Sequence, residues 1–143
     1  MLGARNSTGL TASQIESCLA AWEFLCGDNP RPIDVSEATR HWSRTRFDET
    51  RGLVILGADA YGGSGSSANS RMSLLACLAH ELAHAVRKEK GFDRPLQPPD
   101  SYLDEAETSI SASFESVLSP MERHDLVEDA RDRLIDWLAA QAA

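Results

Sequence analysis

The sequence predicts an α+β fold, mostly helical with a small β-sheet. Two observations carry this. Apolar residues recur at helical spacing in four long stretches, whereas only one segment, Gly52-Leu53-Val54-Ile55-Leu56-Gly57, reads as a strand: a short β-branched run with Gly at each end. Proline-rich breaks separate the helical stretches. With 143 residues, and neither an internal repeat nor a composition shift, the chain is expected to form a single domain spanning 1–143.

Residues 1 to 10 read as a loose lead-in. Thr11-Ala12-Ser13-Gln14 resembles a capping box, and Ile15, Cys18, Leu19, Trp22 and Leu25 continue a helix to Gly27. Pro30 and Pro32 break the chain, and a second short helix is expected from about Val35 to Arg44. The strand at 52–57 follows, with Phe47 to Thr50 before it forming a second strand or a turn. An exposed edge of the 52–57 strand could take an extended peptide. Gly62 to Ser70 reads as a mobile Gly/Ser loop bordering a cleft.

No Pro or Gly interrupts the run from Arg71 to Lys90, the third helix. A Pro-rich connector (Gly91 to Asp100) leads to a helix from about Asp100 to Leu118, with Leu103, Ala106, Ile110, Phe114 and Val117 as its core stripe. Ser119-Pro120-Met121-Glu122 starts the last helix, which carries Leu126, Ala130, Leu134, Trp137 and Leu138 inward, with Asp and Arg on its outer face. The expected division is N-terminal helices at 11–46, a core at about 52–121 and a C-terminal helix at 120–141.

The balance of 14 basic to 22 acidic residues argues against a nucleic-acid surface or docking on an anionic membrane. No apolar run approaches a membrane span and the N-terminus lacks a signal-peptide core, so a cytoplasmic protein is expected. The three cysteines, Cys18, Cys26 and Cys77, have no CxxC spacing and read as core residues, although Cys77 lies one turn before His80.

Chemistry concentrates in the third helix. His80-Glu81-Leu82-Ala83-His84 is an HExxH pattern, and on a helix residues four apart share a face, so both imidazoles can converge on one cation with Glu81 beside it. Zn²⁺ accepts neutral imidazole, and its catalytic sites use three protein ligands with water in the fourth position. The carboxylate after the first His can act as general base towards that water. The third ligand has three candidates, Asp104, Glu105 and Glu107. Glu105 is favoured, because it shares a face of small residues with Ser101, Ser109, Ala112 and Ser116. Glu107 borders the apolar stripe and ranks next; Asp104, on a side that looks solvated, ranks third. Tyr61, Tyr102 and His124 are candidate donors to an oxyanion, and His41 carries no motif.

HExxH followed about twenty residues later by Glu-Ala on a second helix resembles the gluzincin arrangement. The order of strand, loop, metal helix and Glu-Ala helix, with Leu118-Ser119-Pro120 near that helix's end, is similar to the small zinc peptidases of the ImmA/IrrE-like family over about residues 52–121. The resemblance implies a compact zincin-like metallopeptidase domain with His80, His84 and Glu105 as zinc ligands and Glu81 as catalytic base. Position 109 departs from it, being Ser where thermolysin-like enzymes have an Asp that orients a metal His. Arg87 stands where metzincins require Gly, and no third His follows. The resemblance also implies selective cleavage of a protein or peptide partner in a regulatory or defence setting. The competing expectation is an inactive zincin-fold scaffold.

Overall fold

The computed structural model describes residues 5–142. It shows an α+β fold, mostly helical, with one small sheet. α1 (Ala12–Cys26) starts as expected, with Thr11 and Gln14 forming a reciprocal capping box, and ends at Gly27, whose φ of 58° suits a residue without Cβ. Three short strands follow: β1 (Ile33–Asp34), β2 (Arg46–Asp48) and β3 (Leu53–Ile55). A short 3-10 helix (Ala58–Ala60) and four further α-helices complete the described fold: a single-turn α2 (Ala68–Arg71), then α3 (Leu74–Glu89), α4 (Asp100–Ala112) and α5 (Pro120–Ala142). Among the described residues no helix is long and apolar enough to cross a membrane.

The sheet order is β1-β3-β2, with β1 parallel and β2 antiparallel to β3. The strand at 52–57 is therefore central and has no free edge; the edge strands are β1 and β2. One apolar core, with Trp22, Phe47, Val54, Leu56, Leu78, Leu82 and Leu126 in it, joins α1, the sheet, α3 and α5. α4 packs on both α3 and α5.

Five expectations need correction. The segment 35–44 is a chain of turns, not a helix. Asp34 Oδ1 accepts the Ser36 N–H, the Ala38 carbonyl accepts the Leu10 N–H at 2.8 Å, and Trp42 has φ of 64°, outside any right-handed helix. Backbone groups that a helix would pair internally go instead to tertiary partners. The lead-in is also not loose where it is described. Leu10 is buried, and Arg5 donates to the carbonyls of Asp59, Ala60, Asn69 and Met72; residues 1–4 lie outside the described residues.

α4 ends at Ala112 instead of Leu118. Ser113 turns its hydroxyl back onto the Ile110 carbonyl at 2.6 Å, and Leu118 folds into the core. Its apolar stripe holds only in part: Ala106 is buried, but Ile110 and Phe114 are exposed while Asp104, Thr108, Ser109 and Ala112 are buried. Polar residues can line this interface because they satisfy one another there. In the same way, Asp125 and Asp129 of α5, expected on its outer face, are buried, whereas Leu138 is exposed.

Candidate metal centre

α3 is capped by Ser73, whose side chain accepts the Ala76 N–H, and it runs without interruption through the HExxH residues, all of which are buried. Helical spacing puts His80 and His84 on one face, and α4 brings Glu105 against them. His80 Nε2 lies 2.8 Å and His84 Nε2 3.3 Å from Glu105 Oε2. Of the three acids weighed for this place, only Glu105 joins the cluster; its ligand atom and the two imidazole nitrogens lie within 4.8 Å of one another. Asp104 is buried rather than solvated and pairs with Arg87, which also holds the exposed Glu107. Cys77 borders the cleft without entering the cluster.

The hydrogen bonds behind the rings decide which nitrogen faces inward. Ser109 Oγ donates to Asp129 Oδ2 at 2.6 Å, so it can only accept from His80 Nδ1, 2.8 Å away. Thr108 Oγ1 donates to the Asp104 carbonyl at 2.7 Å and accepts from His84 Nδ1 at 3.4 Å. Both rings therefore carry hydrogen on Nδ1 and turn Nε2 towards Glu105. Two imidazole nitrogens and a carboxylate oxygen converge there, a donor set of the kind that can hold a metal ion. Phe47 of β2 lies beside His84 with nearly parallel rings, 6.4 Å between centroids.

Titration behaviour reflects the same convergence. Burial works against a charged His80, yet its hydrogen bond to Glu105 and the Glu105 and Glu81 charges raise its pKa. Burial holds His84 down at about 4, against the pull of Glu105. Glu105 is buried too, but the two histidines keep its carboxyl far below the usual carboxylate range. Burial pushes Glu81 up to about 7, and its Oε2 is buried with no hydrogen-bond partner among the described residues. An uncommitted carboxylate beside the cluster is free to exchange a proton with whatever enters the cleft.

The cleft is lined by His80, Glu81, Glu105, Tyr102, the β2 flank Arg44-Thr45-Arg46, Asn69 of the former Gly/Ser stretch, and two arginines, Arg94 and Arg133. Arg94, from the Pro-rich connector, donates to Glu105 Oε1 and to the Phe47 carbonyl. Tyr102 is the one oxyanion candidate at the cleft; the Tyr61 hydroxyl donates to the Gln14 carbonyl at 3.3 Å, and His124 is exposed on α5. His41 Nδ1 accepts the Gly9 N–H.

Sequence reasoning missed Thr108, Asp129, Arg94 and Arg133. One signal was present, since Asp125, Asp129 and Arg133 recur every four residues on α5, beside the Leu126/Ala130 core positions. No protein-family model matches the chain, and neither does any curated protein or solved structure.

Proposed function

We propose that this chain is a zinc-dependent metallopeptidase with a zincin-like fold, in which His80, His84 and Glu105 hold the metal and Glu81 is the general base. The observation that carries the reading is the fixed pair of Nε2 lone pairs converging with Glu105 Oε2, one residue away from an unpartnered buried carboxylate. Zinc held there would supply a Lewis acid for a carbonyl oxygen and lower the pKa of a water towards neutrality. The remaining chemistry belongs to the chain. Glu81 accepts a proton from the attacking water at its free carboxylate and returns it to the leaving amine. Ser109 with Asp129, and Thr108, hold the rings in one tautomer, while Arg94 donates to Glu105 Oε1 and so steadies the carboxylate against the histidines.

β2 is an edge strand flanking the cleft, and its backbone can take an extended protein or peptide substrate by strand addition. The resemblance to ImmA/IrrE-like peptidases adds the expectation of a single regulatory or defence partner as substrate. Zinc content and peptide cleavage, measured together for wild type and Glu81→Gln, test the reading. Near one zinc per chain in both proteins, with cleavage lost by several orders of magnitude in the variant, supports it. A folded, zinc-loaded wild type that cleaves neither a broad peptide library nor any protein that co-purifies with it, and behaves like Glu81→Gln, leaves a scaffold role.

A further inference from the structure

Five arginines reach the cleft, and four of them can be set aside. Arg5 is spent on backbone carbonyls, Arg46 pairs with Glu37, Arg94 is shared between Glu105 and Phe47, and Arg44 lies exposed on the flank of β2. Arg133 differs. Its Nε donates to Asp129 Oδ2 at 2.8 Å, which fixes the guanidinium plane, but neither Nη makes a hydrogen bond among the described residues. Nη1 stands 3.7 Å from Glu105 Oε2, the oxygen that meets His80 Nε2 at 2.8 Å. A mostly covered cation is thus clamped at its inner nitrogen and presents its outer donors to the reacting region.

We propose that Arg133 is the oxyanion-binding residue of this cleft, donating from its Nη groups to the scissile carbonyl oxygen as negative charge develops there. The inference rests on the peptidase reading of the same site. As water adds to the carbonyl carbon, its proton passes to Glu81 and the C=O π pair moves onto oxygen. That oxygen carries a full negative charge until the C–N bond breaks, the carbonyl reforms and the amine leaves with the proton from Glu81. A planar guanidinium offers two parallel donors to such an oxygen, and a donor already oriented before reaction stabilises the charge without reorganising. Asp129 then serves both sides of the reaction, orienting His80 through Ser109 and Arg133 directly.

The experiment uses the zinc-loaded full chain and inorganic phosphate as a tetrahedral-anion probe, comparing wild type with Arg133→Met and Arg133→Lys. The expected result is unchanged zinc content, a phosphate dissociation constant raised at least about tenfold in Arg133→Met, and kcat lowered roughly 10²–10³-fold with KM little changed, the size found on removing one oxyanion donor. Arg133→Lys should recover part of both losses. Wild-type phosphate affinity in folded, zinc-loaded Arg133→Met overturns the inference, while the peptidase reading still stands or falls on Glu81→Gln. Conversely, phosphate affinity lost in Arg133→Met from a wild type that cleaves no peptide supports an anion site at Arg133 and removes the peptidase reading. Should Arg133→Met not fold, Arg133→Gln carries the same comparison.

Discussion

Asp129 on α5 orients His80 on α3 without touching it. Ser109 Oγ bridges the two, 2.8 Å from His80 Nδ1 and 2.6 Å from Asp129 Oδ2. Ser109 thus relays the pull of a carboxylate on another helix to the imidazole. Ser109→Ala should weaken zinc binding by about 10–100-fold, the usual cost of removing a partner behind a metal His. Competition with a chromophoric chelator measures this, and an unchanged affinity would show that the bridge does not set the ring.

The choice between the two glutamates of α4 is equally direct. Glu105→Ala should lose the metal, while Glu107→Ala should retain it, because Glu107 is exposed and meets Arg87 instead of the histidines. Elemental analysis of both variants, purified without added metal, decides it. Metal lost from Glu107→Ala alone would reverse the assignment.

On the proposed reading, zinc and a proton would compete for His80 Nε2. Because the folded protein raises this pKa above 6.5, His80 must give up a proton on binding metal, so zinc affinity should fall as the pH drops below the raised value. Calorimetry in two buffers of different ionisation enthalpy should register about one proton released per zinc in that range. Release of none would place the His80 pKa below the range.

Glu81 should leave a mark on the stability of the metal-free protein. Its carboxyl is raised from 4.5 to about 7, so the folded state binds this proton more tightly than the unfolded state does. The stabilisation is complete below the unfolded value and is lost as pH rises through 7. Metal-free Glu81→Gln cannot suffer that loss and should be more stable than wild type at about pH 8, by up to about 3 kcal/mol, with the gap closing towards about pH 4.5. Denaturant titrations across that range give the sign directly. A gap that widens on acidification would contradict the buried, unpartnered carboxyl.

Arg5 ties the start of the described chain to the wall of the cleft. Its guanidinium meets the carbonyls of Asp59, Ala60, Asn69 and Met72 at 2.6 to 3.0 Å. Arg5→Met would strip several buried carbonyls of a charged donor, at roughly 1–3 kcal/mol each where water does not replace it. Thermal unfolding should show a clear drop in Tm. A Tm within about a degree of wild type would mean that water takes over these bonds.

The HExxH spacing placed His80, Glu81 and His84 from sequence alone, because helical geometry is local and converts a four-residue interval into a shared face whatever surrounds it. The capping box at Thr11, the β-branched run at Leu53–Ile55 and the start of α5 at Pro120 were legible for the same reason, each being a contract between near neighbours. Glu105 ranks first among three acids, but the accompanying apolar stripe holds only in part, since Ala106 is buried while Ile110 and Phe114 point outward. Periodicity reports which residues share a face and says nothing of whether that face meets oil or a polar network. Tertiary structure alone decided that α4 buries Asp104, Thr108 and Ser109, and that α5 turns Asp129 and Arg133 into the cleft. Most of their partners lie 17 to 29 residues away on other helices, beside the charge pair at i,i+4 on α5. The segment 35–44 failed for the same reason, its backbone bonding to the lead-in, a long-range partner that no window of local sequence contains.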